Sequence, residues 1–199
     1  MSYTNFLPLL FFALAGCTAL STQNSTPDKS AGDAALSASA DSEIELYRQA
    51  ITALNSSQLD QAESSLKKIT KTHPEFSGPW INLALIDIRK NDIGNAEKNI
   101  VKALERNPRM PQAYNVLGFV EMSKGNIKKA ADNYRHAIAL KEDYALAHYN
   151  LALLQDTYFQ DAKAAVQHYK RYLQLTNSQD KKTTDWVLEL ERTISKGAE

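Results

Sequence analysis

Ala62, Ala96, Ala130 and Ala165 recur along the chain at steps of 34, 34 and 35 residues. Other positions keep the same step: Trp80, Tyr114 and His148; Leu83, Leu117 and Leu151; Ala50, Ala84, Gly118 and Ala152; Pro74 and Pro108. Self-similarity at this period implies a row of like supersecondary units, each too small to bury its apolar face alone and therefore packed against its neighbours. Within each unit the apolar positions follow helical spacing, as at Trp80, Leu83 and Ala84. The expected fold class is all-α. Stacks of this kind present a surface for another protein rather than a pocket for chemistry.

The best copy, Ser77 to Met110, carries Trp80, Leu83, Ala84, Ala96, Ala103 and Pro108, and by these residues it resembles the tetratricopeptide repeat. In the same register the copies run 43–76, 77–110, 111–144 and 145–177, the last with one extra residue near its turn. The resemblance implies a solenoid of about four helical hairpins. Ala96 and Ala103 are expected on the second helix facing the first, where a small side chain lets two backbones approach. Asn91 and Gly125 suit the intervening turns because both residue types tolerate left-handed backbone angles. His148 stands where Trp80 and Tyr114 stand and is read as a core residue. Tyr172 replaces the small Ala103 and Ala137, so the last unit needs a different packing environment. A C-terminal capping helix is expected over 178–196, with Trp186, Leu190, Ile194 and the adjacent Val187 on its inner face.

The N-terminal part has another character. Phe6 to Ala15 is an apolar run, shorter than the ~20 residues that span a bilayer, and it fits the core of a secretory signal peptide. With Leu14-Ala15-Gly16-Cys17 after it, the segment resembles the signal of a bacterial lipoprotein, although no Lys or Arg precedes the run. That resemblance implies cleavage after residue 16, lipidation of Cys17, and, with Thr18 next, an outer-membrane anchor facing the periplasm. Residues 18–41, low in large apolar side chains, read as a disordered tether with a reach of roughly 25–30 Å.

The chain has 199 residues and a formal net charge of +0, so its overall charge gives no reason to expect nucleic acid as a partner. Lys67-Lys68 and Lys181-Lys182 read as solvated helix faces. Cys17 is the single cysteine, which rules out an intrachain disulfide and a cysteine-based metal cluster. No nucleophile elbow, phosphate loop or zinc motif occurs. The sequence therefore gives no catalytic residue, no metal site and no cofactor.

In the tetratricopeptide family, first helices line a groove that grips peptides or helices. The resemblance places Leu85, Phe119 and Leu153 there, with Ile88, Met122 and Asp156 one turn away and Ile81, Asn115 and Tyr149 one turn the other way. The first copy adds Tyr47, Ile51 and Leu54, and Asn82 and Asn150 neighbour the row with amides able to bond a partner backbone. The same stripes equally suit packing between neighbouring first helices. A clamp for a C-terminal carboxylate needs cations where this chain has Tyr47, Ile51, Asn82, Gln112 and Val116, and only Asn82 fits. The expectation is a lipid-anchored, non-enzymatic adaptor for envelope proteins, similar in layout to tetratricopeptide lipoproteins of pilus or secretin assembly. Adaptors of peptidoglycan enzymes share that layout, and a cell-envelope enzyme is the alternative from another class.

Overall fold

The computed structural model describes the backbone of residues 31–177 and 179–196, with side chains from 42 onward. The signal segment, Cys17 and the first part of the tether lie outside the described residues. Those described form nine α-helices and no strand: α1 Ala31–Asn55, α2 Leu59–Thr72, α3 Ser77–Arg89, α4 Ile93–Arg106, α5 Pro111–Ser123, α6 Ile127–Leu140, α7 Ala145–Thr157, α8 Ala162–Leu175 and α9 Lys181–Lys196. The chain divides into two compact units, Met1–Ser65 and Leu66–Glu199.

In the first unit, α1 begins well before the expected repeat boundary. Residues 31–41, read from composition as part of a disordered tether, are helical. Ala31, Ala34, Ala35, Ala38 and Ala40 explain the difference, since alanine has the highest intrinsic helix propensity and loses no side-chain entropy in a helix. Ala50, Ala53, Leu54 and Ala62 are buried. The turn that ends α1 holds Ser57 at φ 58°.

In the second unit, α3 packs on α4, α5 on α6 and α7 on α8; α4 packs on α5, α6 on α7, α3 on α5, and α8 on α9. Each hairpin turns through one residue with positive φ: Asn91 at 60°, Gly125 at 81° and Gln160 at 55°. The Asp92 amide closes the first turn on the Asp87 carbonyl at 2.8 Å, and the Asn126 amide closes the second on Glu121 at 2.8 Å. This is the bond that ends a helix with a left-handed residue. In the third hairpin Asp161 reaches back to Gln155 at 2.9 Å, one residue further, so the extra residue of the fourth copy is absorbed in the α7–α8 turn. Asp92 and Asp161 cap the helices that follow by accepting from the amides of Asn95 and Ala164, each at 3.0 Å.

The small residues lie at the close contacts. Ala84, Ala96, Ala103, Ala130, Ala137, Ala152 and Ala165 are fully buried. Ala130, Ala131, Tyr134, Leu151 and Leu154 form one apolar cluster, with Met122 packed against it. Ala152, Ala165, Val166, Tyr169, Leu173, Val187 and Leu190 form another. Burial raises the phenols of Tyr134 and Tyr169 well above their ordinary range, so both stay neutral.

The 80/114/148 series does more than fill space. The Trp80 indole N–H donates to the Pro74 carbonyl at 3.0 Å, and the Tyr114 hydroxyl to the Pro108 carbonyl at 3.1 Å. His148 Nε2 donates to the Glu142 carbonyl at 2.9 Å. Each ring thus ties its helix to the turn six residues earlier. Only His148 of the three is buried. Lys102 sits over the Trp80 ring, 4.2 Å from its centroid, a cation–π contact.

Helix α9 closes the end of this unit, with Val187, Leu190 and Ile194 packed inward as expected and Trp186 at the margin. Thr183, Val187 and Leu190 are buried and Ile194 packs behind them, whereas Trp186 is 44% exposed. The inner stripe runs 183, 187, 190 and 194, and Asp180 caps the start of the helix. Its carboxylate accepts the Thr183 amide at 3.1 Å and the Thr183 hydroxyl at 2.7 Å. Tyr172 meets the different environment that its size demanded: its hydroxyl donates to Asp180 at 3.2 Å and its ring packs 5.0 Å from that of Tyr149. Burial and the nearby Asp180 carboxylate push the Tyr172 phenol up to about 12. Burial alone would raise Asp180, but bonds from Thr183, Tyr172 and the Lys182 backbone outweigh it and hold the carboxyl below its usual value.

Candidate partner-binding face

The helices α3, α5 and α7 place the side chains expected to line a groove. The structure divides them into two groups. Ile81, Asn82, Leu85 and Asn115 are buried, so they belong to the packing of this unit and do not face an open groove. The reason is close packing within the row itself: α3 lies directly on α5, and the Asn150 amide donates to Asn115 Oδ1 across 2.9 Å between α7 and α5. That bond uses one N–H of Asn150 and the Asn115 oxygen and ties α7 to α5.

The remaining row residues are half-buried. Ile88, Phe119, Met122, Tyr149, Asn150 and Leu153 all keep accessible surface. Met122 also packs on the cluster around Tyr134 and Leu151, and Tyr149 on Tyr169 and Tyr172. Met122 therefore sits at the seam between α5 and α7, and Tyr149 at the contact of α7 with α8. Phe119 and Leu153, one 34-residue step apart, are left as the central apolar pair of the face. Tyr47 and Ile51 lie on α1 in the other unit, and each is half-buried there.

Two features of this face escaped the sequence. Leu188 follows Leu153 by 35 residues, as Val187 follows Ala152; Val187 is buried beside Ala152 in one cluster, and Leu188 is 49% exposed. Helix α9 thus takes the place of a fifth first helix, and its Leu188 continues the Phe119–Leu153 series. The signal was present in the spacing and was hidden by reading α9 only as a cap. The second feature is the partner of Asp156. The Asp156 Oδ2 accepts the Trp186 indole N–H at 2.7 Å. Burial raises its carboxyl above the usual value, and the indole bond opposes that rise. Pairing with Trp186 depends on tertiary packing that no local pattern encodes.

Among the described residues no group of three or more His, Cys, Asp or Glu side chains stands ready to hold a metal ion. Buried His148 of α7 meets half-buried His168 of α8, Nδ1 to Nδ1 at 2.9 Å, at the contact of the two helices and off the row. Among the described residues, no helix is long and apolar enough to cross a membrane.

Known proteins repeat this architecture. The human mitochondrial import receptor subunit TOM70 is 30% identical over 105 residues, which cover 52% of this chain and 17% of that protein. The chain thus spans under a fifth of the curated relatives that it matches. Among solved structures, PilF of Pseudomonas aeruginosa superposes with a TM-score of 0.67 at 18% identity, covering 77% of this chain and 70% of that one. A thermophilic tetratricopeptide protein of Thermus thermophilus gives 0.62 at 20% identity, covering 73% and 79%. These likenesses show a shared helical-repeat fold. The sequence model described as the Tetratricopeptide repeat protein 21 C-terminal ARM domain matches residues 28–161, and the chain belongs to that family of helical-repeat domains.

Proposed function

We propose that the chain is a lipid-anchored, non-enzymatic adaptor of the bacterial envelope. It is held on the periplasmic side of the outer membrane through Cys17 and docks envelope proteins on the α3–α5–α7 face during assembly of a machine such as a type IV pilus or secretin. The observation that carries the docking is the half-buried apolar pair Phe119 and Leu153, with the exposed Leu188 one step beyond it. Apolar side chains left accessible at a fixed repeat spacing suit an apolar peptide or the apolar face of a helix. The similar proteins support a holding role, since one of them is an import receptor subunit. The anchor rests on the lipoprotein-like run that ends at Cys17. Two or more acyl chains bind a membrane stably, because each buried methylene contributes about 0.8 kcal/mol.

The test is photocrosslinking in intact cells with a reactive residue at Leu153 and, separately, at the solvent-exposed Lys128. A protein captured from Leu153 and not from Lys128 supports the docking face; identical products from both positions sink it. In the same cells Cys17→Ser should move the protein from the membrane to the soluble fraction, and continued membrane retention refutes the anchor.

A further inference from the structure

Helix α7 carries one charged side chain, Asp156, and it occupies the row position filled by Ile88 in α3 and Met122 in α5. Met122 shows what that position needs for packing, since its apolar side chain rests on the cluster containing Leu151. Trp186 stands one 35-residue step after Leu151, and Asp156 meets it. An apolar residue would serve that contact without the cost of taking a carboxylate partly out of water.

The other carboxylates on these first helices are differently held. Asp87 receives the Asn99 amide at 2.7 Å, and Glu121 receives the Asn126 amide at 2.7 Å with Lys124 3.9 Å away. Each is held by an amide of its own hairpin, whereas Asp156, equally near the turn end of α7, meets the indole of α9. Asp156 is half-buried at the α7–α9 seam beside Leu153, and its one bond is from the Trp186 indole. A carboxylate has about four acceptor sites, so this bond leaves most of its capacity open. Among the described residues no lysine or arginine forms an ion pair with it. An anion at the end of an apolar row, held by a neutral donor, complements a cation preceded by apolar groups.

We infer that Asp156 receives a cationic side chain, arginine or lysine, from a partner segment whose apolar residues rest on Phe119 and Leu153. The inference deepens the docking reading above and rests on it. The polarity is the reverse of a carboxylate clamp: here the adaptor supplies the anion and the partner the cation. Alternate residues of an extended chain share one face roughly 6.5–7 Å apart, and the reach of the side chains covers the remainder of the roughly 8–10 Å between successive packed helices, so alternate apolar residues followed by arginine match the row.

The test uses the purified full chain and an acetylated, amidated pentapeptide with leucine at its first and third positions and arginine at its fifth. The same peptide with citrulline, a neutral near-isostere of arginine, is the comparison. The Trp186 indole N–H resonance reports directly on the Asp156 carboxylate. The arginine peptide should move that resonance and bind about tenfold more tightly than the citrulline peptide, the scale of one charge-assisted hydrogen bond. The margin should vanish in Asp156→Asn, which keeps an oxygen for the indole N–H. Equal affinity of the two peptides for the native chain, or no movement of the Trp186 resonance with either, overturns the inference. Failure of the docking reading looks different: Phe119→Glu would then leave both peptides bound as before. Peptides that bind equally well to the native chain and are both lost in Phe119→Glu would retain the face and remove the role of Asp156.

Discussion

Gly118 of α5 lies so close to Tyr134 of α6 that a Cβ built on the glycine would stand 2.5 Å from Cε1 of the ring and 2.7 Å from Cδ1. The same pair of positions is Ala84 with Ile100 one repeat earlier. Glycine and tyrosine in one copy thus exchange volume for alanine and isoleucine in the other. Tyr134 is 1% exposed and has no room to withdraw. Gly118→Ala should therefore destabilise the protein by about 1–3 kcal/mol through overpacking, despite the better helix propensity of alanine. A thermal melt followed by circular dichroism would show the midpoint falling by several degrees. The double variant Gly118→Ala with Tyr134→Ile, which recreates the earlier pair, should recover most of that loss. A melt unchanged in the single variant contradicts the close contact.

What the sequence disclosed and what it hid separate along physical lines. Interior positions are fixed by a constraint repeated in every copy, so Ala84, Ala96, Ala130 and Ala165 could be placed from spacing alone, and all are fully buried. The positive-φ turn residues Asn91 and Gly125 were legible for the same reason. Gln160 was not, because an inserted residue moves the turn and glutamine carries no left-handed preference. The division of the row into buried Ile81, Leu85 and Asn115 and accessible Phe119 and Leu153 depends on how closely neighbouring first helices approach. Periodicity gives the face a residue lies on but not that distance. Residues 31–41 are helical although low in hydrophobicity, because the propensity of their alanines acts independently of core burial.

Phe119→Glu should weaken capture of partners at Leu153 at least tenfold while leaving the far-UV circular dichroism helical. Phe119 is half-buried, so a carboxylate at its position can reach water, yet it would place charge in the centre of the apolar series and cost a docked apolar group its contact. Collapse of the helical signal would instead assign Phe119 to the core.

Gln160 holds φ 55° and is exposed in the α7–α8 turn. A residue with a Cβ costs roughly 1–2 kcal/mol in this region, part of which glycine gives back through the greater freedom of its unfolded chain. Gln160→Gly should stabilise by roughly 0.5–1 kcal/mol and raise the melting midpoint by a few degrees. The reciprocal change, Gly125→Gln at φ 81°, should lower it, and there the cost is conformational, since a Cβ at Gly125 meets no atom within 4 Å. Movement of both midpoints in one direction is incompatible with this account.

His148 and His168 form a pair whose proton arrangement follows from its neighbours. The Glu142 carbonyl can only accept, so His148 Nε2 carries a hydrogen and its Nδ1 presents a lone pair; His168 Nδ1 must then donate across the 2.9 Å between them. Burial first, then the His148 ring and the Arg135 guanidinium on α6, lower the pKa of His168 in the folded state. Arg135 is itself paired with Asp132 at 2.8 Å, and α9 contributes no charge to the shift. The unfolded chain, with an ordinary value near ~6.5, takes up this proton first as pH falls. The contribution of His168 to stability is therefore complete above about pH 6.5, declines as pH drops toward the folded-state value, and is gone below it. Urea midpoints measured at pH 8 and at pH 5 should fall between the two for the native chain. In His168→Gln the side-chain amide can still donate to His148 Nδ1 but does not titrate, so the fall should be smaller. Carboxylates, including the raised Asp156, contribute equally to both proteins and cancel in the comparison. Identical pH slopes for the native chain and His168→Gln would exclude the pair as a source of acid sensitivity.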